Sequence, residues 1–286
     1  MIEIKNLTHI YAIKTPFEKN ALSEINLNIN EGDYIAIAGH TGSGKSTLIQ
    51  IIAGLIKPTA GHVFIDNIDL NSKNKSAKLN VRRRIGIVFQ YPEMQLFEET
   101  VEKDIAFGPK NLNLNEDEID RRVNESMKLV GLSETLKKIS PFNLSGGQKR
   151  RVAIAGVLAM QPKYLILDEP TAGLDPRARD ELMNKINNLY NKENLTIILI
   201  SHNMDDIARF ANRIVILNQG KVLADDTPRK IFNETDILQK AGLIAPSTIQ
   251  LLSTIRSRGL NIDMDAITVD ECENKICNFV ERHKKI

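Results

Sequence analysis

Short apolar runs alternate along this chain with longer amphipathic stretches, and the two kinds of segment predict strands and helices in turn. Ile2 and Ile4 open it in alternation, and Ile25, Leu27 and Ile29 repeat that period of two. Glu31-Gly32-Asp33 turns the chain into an unbroken apolar run, 34–38, followed by a glycine-rich loop and an apolar helix over 47–55. Residues 63–69 read as a hairpin turning near Asp66-Asn67, and 85–89 as a buried strand that stops at Gln90. From 91 to about 160 the pattern is helical and polar, which reads as an insertion. Strands return at 164–167, 196–200 and 213–217, with a helix over about 177–190 between the first two. After Thr227-Pro228 the chain turns helical again. This rhythm predicts an α/β fold with a mostly parallel sheet. The domains expected are 1–227, with a helical subdomain inserted at 91–160, and a small α-rich domain over 228–286.

Composition narrows the function classes. The 286 residues carry 38 Lys and Arg against 36 Asp and Glu, a net charge of +2, so nothing in the charge points to nucleic acid or anionic lipid. The longest apolar runs are strand-sized, whereas a membrane-spanning helix needs about 20 residues, so any role at a membrane requires a partner. The N-terminus alternates like a strand and lacks the apolar core of a signal peptide. Two cysteines, Cys272 and Cys277, fit a reducing compartment. Cys272 shares a helix face with Ile276, Phe279 and Val280, which reads as core packing rather than metal binding.

The candidate chemistry begins at Gly39-His40-Thr41-Gly42-Ser43-Gly44-Lys45-Ser46, which has the spacing of a phosphate-binding loop and lies between a strand and a helix. Glycines let the backbone wrap a polyphosphate with several N–H groups inward, and the helix that follows adds the positive end of its dipole. Lys45 should reach the β- and γ-phosphates and Ser46 should ligate Mg²⁺. Such a loop needs an acidic partner for the metal, and Asp168 supplies it where the run 164–167 ends. Glu169 follows and can orient or deprotonate attacking water. Leu144-Ser145-Gly146-Gly147-Gln148 opens a helix over about 148–160 and forms a second anion site. A helix on the inserted subdomain cannot easily fold back on its own phosphate loop. Two-fold pairing of chains would bring each such helix over the partner's nucleotide.

These elements resemble the ABC ATPase family over about residues 1–226. Residues 39–46 look like its Walker A loop, 164–169 like Walker B and 144–148 like its signature. Gln90 matches its Q-loop, Ala172-Gly173-Leu174-Asp175 its D-loop and Ser201-His202 its switch histidine. The resemblance implies a RecA-like P-loop NTPase core with an antiparallel β-subdomain, and ATP and Mg²⁺ as cofactors. Lys45, Gln90, Glu169 and His202 would be catalytic, with Ser46, Gln90 and Asp168 on the metal. Thr47 would join the loop residues on the nucleotide, while Ser145, Gly146, Gly147 and Gln148 would grip it from a partner chain. Tyr11 stands where the family often places an aromatic that stacks on adenine. Alternatively it packs the N-terminal sheet and Phe17, or nothing, stacks.

Within the family, no long coiled coil and no second phosphate loop is present, which argues against chromosome, repair and translation members. Phe89 and Gln90 followed by Tyr91-Pro92-Glu93-Met94-Gln95-Leu96-Phe97 resemble the energy-coupling-factor group, as do residues 144–152 and the C-terminal extension. There Met94, Leu96 and Phe97 would line a groove for a membrane subunit, or else form subdomain core. Tyr11, Thr15-Pro16-Phe17-Glu18 and Ala21-Leu22 are similar to the A′ paralogue of that group. The implied machine imports a vitamin or a metal ion. Its other parts would be a second ATPase subunit (a paralogue or a second copy), a transmembrane coupling subunit and a substrate-binding membrane subunit, with no nucleic acid. The chain would sit peripherally on the cytoplasmic face of the plasma membrane. Ile249, Leu252 and Ile255 fall in the region through which such ATPases hold each other, or form a private core. Lys149, Arg150 and Arg151 read as a solvated helix face. The alternatives are the ATPase of a conventional ABC transporter and a soluble family member acting on nucleic acid or ribosomes.

Overall fold

The computed structural model describes residues 1–193 and 195–283, so residue 194 and the last three residues of the expected C-terminal domain lie outside it. In chain order the elements are β1 (Ile2–Tyr11), β2 (Lys19–Ile29), β3 (Tyr34–Ala38), α1 (Lys45–Ile52), β4 (Ala60–Ile65), β5 (Ile68–Asp69), α2 (Lys75–Arg82) and β6 (Ile85–Val88). There follow α3 (Val101–Asn111), α4 (Glu116–Val130), α5 (Gly146–Leu158), β7 (Tyr164–Asp168), α6 (Pro176–Glu193), β8 (Thr196–Ile200) and α7 (Met204–Phe210). The chain closes with β9 (Arg213–Asn218), β10 (Lys221–Asp226), α8 (Pro228–Asn233), α9 (Thr235–Lys240), α10 (Ser247–Ser257) and α11 (Val269–His283).

Two sheets carry the strands. One is antiparallel in the order β2-β1-β4-β5, and the other runs β10-β9-β3-β8-β7-β6. In the second, every pairing from β9 to β6 is parallel, and only β10 is antiparallel to its neighbour. All five residues of β3 and of β8 are buried, which is why these strands read as continuous apolar runs: both faces of the sheet are covered. Ile35 and Ile37 face a core built with α1 and the antiparallel sheet. Ala36 and Ala38 face the opposite side, where α7, Ile231, Phe232 and Ile249 pack. Leu165, Leu167 and Leu199 join the core of α3, α4 and α5, so the inserted helices rest directly on the central sheet.

The hairpin at 63–69 forms with Asp66 and Asn67 at φ 49° and 64°, the left-handed pair that a tight two-residue turn requires. Its Asp66 then reaches across to the other sheet. The carboxylate accepts from the Tyr164 hydroxyl at 2.6 Å, Lys163 Nζ at 2.9 Å, the Met1 amine at 3.0 Å and Arg84 Nη1 at 2.7 Å. These donors pin the antiparallel sheet to the starts of β6 and β7.

Several local expectations needed correction. Helices α2 and α7 and the edge strand β10 carried no recognised pattern. In the C-terminal segment Cys272 is buried beside Leu252, with Ile276 and Phe279 packed on the same small core, but Val280 points outward. Ile249 and Leu252 are buried and Ile255 packs beside them, so these three serve the chain's own interior. Among the described residues no helix is long and apolar enough to cross a membrane.

The Asp66 network has a testable pH signature. Burial alone would raise this carboxyl, but the hydrogen bonds from Tyr164, Lys163, the N-terminal amine and Arg84 hold it well below the usual carboxylate range. A depressed folded-state pKa means the stabilisation is complete above the unfolded value of about 4 and is lost as pH falls below it. We expect Asp66→Asn to cost about 2 kcal/mol at pH 7 in urea unfolding. The gap from the unchanged protein should narrow steadily between pH 4 and pH 2.

Candidate functional site

Parallel strands deliver their carboxyl ends to one edge of a sheet, and here four of them end in the residues singled out by pattern. Strand β3 runs into the loop 39–46, β6 leads two residues on to Gln90, β7 ends at Asp168 with Glu169 next, and Ser201 and His202 follow β8. The loop depends on backbone that side chains would block. Gly39, Gly42 and Gly44 have φ of 152°, 83° and 106°. A Cβ on Gly44 would lie 2.6 Å from Ala21 O and 2.7 Å from a Leu22 methyl. The turn between β9 and β10 braces the loop, since Gly220 N donates to Ser43 O at 3.1 Å and Ser23 N to Gly220 O at 2.8 Å. Helix α1 then starts without a side-chain cap and with no acidic residue in its first turn, leaving its N–H groups and dipole end open to an anion.

Lys45 lies folded along the loop, with Nζ donating to Gly39 O at 2.6 Å and His40 O at 3.0 Å. Burial lowers its pKa, opposed by the charges of Glu169 and Asp168. His40 turns outward from the loop, Nδ1 2.8 Å from Thr41 O and Nε2 3.1 Å from Asn218 Oδ1. The Ser46 hydroxyl end is exposed. Tyr11 stands over the same helix, its hydroxyl 3.2 Å from Thr47 Oγ1 and its ring edge-on to His9. A cleft of about 160 Å³ lies between Tyr11, Lys19, Ala21 and the loop. Phe17 is 84% exposed and outside that lining, so of the two candidate aromatics only Tyr11 lies against the loop.

Across the loop, the Asp168 carboxyl is pushed up to about 6 by burial and by the neighbouring Glu169, with Lys45 opposing. Glu169 adopts a left-handed φ of 49°, and its N–H is held by Ile200 O at 3.0 Å. Its Oε1 lies 2.7 Å from His202 Nδ1, and the imidazole is 75% exposed where the carboxylate is only 12% exposed. The candidate metal ligands are a hydroxyl, a carboxylate and an amide oxygen: Ser46, Asp168 and Gln90. Hard oxygen donors of this kind fit Mg²⁺, and two crowded carboxylates gain from a nearby dication. Among the described residues no cluster of three His, Cys, Asp or Glu could hold a metal.

Ser145 to Gln148 form a separate tip. Helix α5 begins at Gly146, earlier than the pattern predicts, because glycines in a first turn hide a start that the caps define. Ser145 Oγ accepts from Gln148 N at 3.3 Å and Gln148 Oε1 accepts from Ser145 N at 3.0 Å, a reciprocal capping box. The N–H groups of Gly146 and Gly147 stay available. Among the described residues no hydrogen bond or ion pair joins 145–148 to the loop 39–46.

One residue of the expected solvated face is misplaced. Arg150 is 4% exposed and bonded to Glu93 and to the Ala172 carbonyl, while Lys149 and Arg151 remain partly exposed. Of the expected groove residues, Met94 and Phe97 are 82% and 58% exposed, with Phe97 stacked edge-on against Phe107, whereas Leu96 is buried in the core of the inserted helices.

Comparison with known proteins bears on the family and the fold. The ABC transporter family model matches residues 22–172. The chain is 52% identical over 276 residues to the energy-coupling factor transporter ATP-binding protein EcfA2 of Clostridium tetani, covering 96% of each chain. It is 50% identical to the protein of the same name from Caldanaerobacter subterraneus, over 100% of this chain and 99% of the other. Among solved structures it resembles cbiO1 from Clostridium perfringens, described as part of the ABC transporter complex cbiONQ. The TM-score is 0.73 at 40% identity, over 84% of this chain and 93% of that one. It also resembles a dimeric ATP-binding cassette in a post-hydrolysis state bound to ADP and Pi. There the TM-score is again 0.73, at 35% identity over 80% of this chain and 99% of that one.

The two glycine sets differ in what a side chain would meet. Gly44→Ala collides with the Ala21 carbonyl in a backbone region that disfavours a Cβ, and should cost about 2–4 kcal/mol in denaturant unfolding. Gly147 has open space around it, so Gly147→Ala should leave stability unchanged or raise it by up to about 1 kcal/mol.

Proposed function

This chain belongs to the ABC transporter ATPases, and from that premise we propose that it is the ATP-binding and ATP-hydrolysing subunit of an energy-coupling-factor importer. The observation that carries the reading is the split between two anion sites. Lys45, Ser46, Gln90, Asp168, Glu169 and His202 converge on one edge of the central sheet, while the Ser145 tip stands apart on the inserted helices. The near-complete overlap with the energy-coupling-factor relatives, C-terminal helices included, supports the choice of group.

In this reading the loop 39–46 wraps the triphosphate and Lys45 exchanges its two loop carbonyls for β- and γ-phosphate oxygens. The ammonium is therefore held against the loop and partly screened from solvent. Tyr11 offers its ring to adenine. Glu169 orients the attacking water, and His202 fixes the carboxylate and faces the γ-phosphate. Held by Ser46, Asp168 and Gln90, Mg²⁺ would neutralise charge on the β- and γ-phosphate oxygens. The missing donors come from a second ATPase subunit, whose residues equivalent to Ser145, Gly146, Gly147 and Gln148 close over this nucleotide. The partner is a paralogue or a second copy of this chain.

Closure of the pair is the mechanical stroke. Met94 and Phe97, exposed beside Gln90, present an apolar surface to a transmembrane coupling subunit. That subunit would hold the chain peripherally on the cytoplasmic face of the membrane. A separate membrane protein captures the cargo, a vitamin or a metal ion.

Two outcomes test this. Glu169→Gln should cut phosphate release by the assembled transporter at least 100-fold, with ATP affinity changed less than about threefold, because only the water-orienting charge is lost. Near-normal turnover would remove Glu169 from the role. Purified from membranes, the chain should bring a second ATPase, a coupling protein and a substrate-capturing membrane protein with it. Alone and demonstrably monomeric it should hydrolyse ATP slowly, and fast monomeric turnover, or recovery with ribosomes or DNA only, would overturn the assignment.

A further inference from the structure

A buried arginine joins three segments of this site, and none of the roles assigned so far uses it. Arg150 projects from the first turns of α5, just beyond the Ser145 tip. Its side chain is 4% exposed, and Nε and Nη2 each donate to one oxygen of Glu93 at 3.2 Å. Its Nη1 donates to the carbonyl of Ala172. Glu93 lies in the short 3-10 turn Pro92–Gln95, three residues beyond Gln90 and next to the exposed Met94. Ala172 closes the turn that starts at Glu169, its N–H donating to Glu169 O at 3.1 Å. One guanidinium therefore ties the segment after Gln90, the helix behind Ser145 and the turn after Glu169.

A surface staple would not be built this way. A buried guanidinium is costly to desolvate and is retained only when its donors are matched in geometry. Here the planar fork spends two donors on a carboxylate and one on a carbonyl from different segments. Moving either acceptor by an ångström or two leaves buried charge unsatisfied, so the three segments share a limited set of joint positions.

We propose that Arg150 is a positioning residue through which nucleotide occupancy sensed at Gln90 and Glu169 sets the Glu93 turn, and with it the Met94 and Phe97 surface. The proposal rests on the reading of those two residues as nucleotide-facing. It needs no contact between Arg150 and the nucleotide, and it predicts that binding and transmission separate.

Hydrogen exchange on the purified complex with its partner ATPase and membrane subunits tests it, with and without Mg²⁺ and an ATP analogue whose β–γ bridge is nitrogen. In the unaltered complex the analogue should slow exchange over 39–48, 91–98 and 170–176 together. With Arg150→Met, slowing over 39–48 should persist within twofold, while the nucleotide-dependent slowing over 91–98 falls at least fivefold. Arg150→Lys, which keeps the charge but not the fork, should fall between. If Arg150→Met prevents assembly, Glu93→Gln is read in the same way, with a loss of at least twofold. Full retention of the nucleotide-dependent change at 91–98 would overturn the proposal. So would a uniform rise in exchange there with and without nucleotide, the mark of a purely structural tie. Loss of any slowing over 39–48 in the unaltered complex would instead bring down the nucleotide-site reading beneath it.

Discussion

Every part of this site depends on one constraint: parallel strands must end at the same edge of their sheet. The glycine loop after β3, Asp168 at the end of β7 and His202 after β8 come within reach of one another because their strands are hydrogen-bonded neighbours. The register makes the meeting specific. Leu167 pairs with Leu199 and Asp168 with Ile200, so Glu169 leaves the sheet where the Ile200 carbonyl can hold its N–H, and His202 leaves two residues later. Shifting either strand by one residue would turn the carboxylate to the wrong face.

Charge is crowded at that edge. Asp168 and Glu169 are adjacent carboxylates in partly buried surroundings, and Lys45 is a cation whose burial disfavours its charged form. For Asp168 and for Lys45 burial disfavours the charged form. A cation beside Asp168 and an anion beside Lys45 would each relieve that cost. The left-handed backbone at Glu169 belongs to the same pattern of local cost at a working residue.

Much of this was legible in the residues because its causes are local. A glycine loop between a strand and a helix, or an apolar run ending in Asp168, announces its chemistry through spacing alone. The boundaries of β3 and β8 and the turn of the hairpin at Asp66 followed from patterns only a few residues long, whereas β4 begins at Ala60, three residues before the expected hairpin. What escaped was decided by tertiary placement. Arg150 sits in a basic triplet that looks solvated, and only the approach of Glu93 and Ala172 makes it interior. Met94, Leu96 and Phe97 share a short apolar motif, yet the turn at Pro92–Gln95 sends Leu96 inward and the other two outward. Helix α7 is short and strand β10 alternates between exposed and half-buried, so neither carries a long enough period to stand out.

The inserted helices are therefore more than a platform for the Ser145 tip. Their core is continuous with Leu165 and Leu167 of β7, the strand that ends at Asp168 and Glu169. Arg150 adds a polar tie from the same helix to the turn beyond Glu169. A tightly packed core does not stretch, so any displacement of α5 must either drag β7 or slide over it in a discrete step. Dragging is opposed by the other face of β7, where Tyr164 and Ile166 pack into the core around α1. Arg150 resists sliding in turn, because its bonds to Glu93 and Ala172 hold α5, the turn after Gln90 and the turn after Glu169 in one joint position.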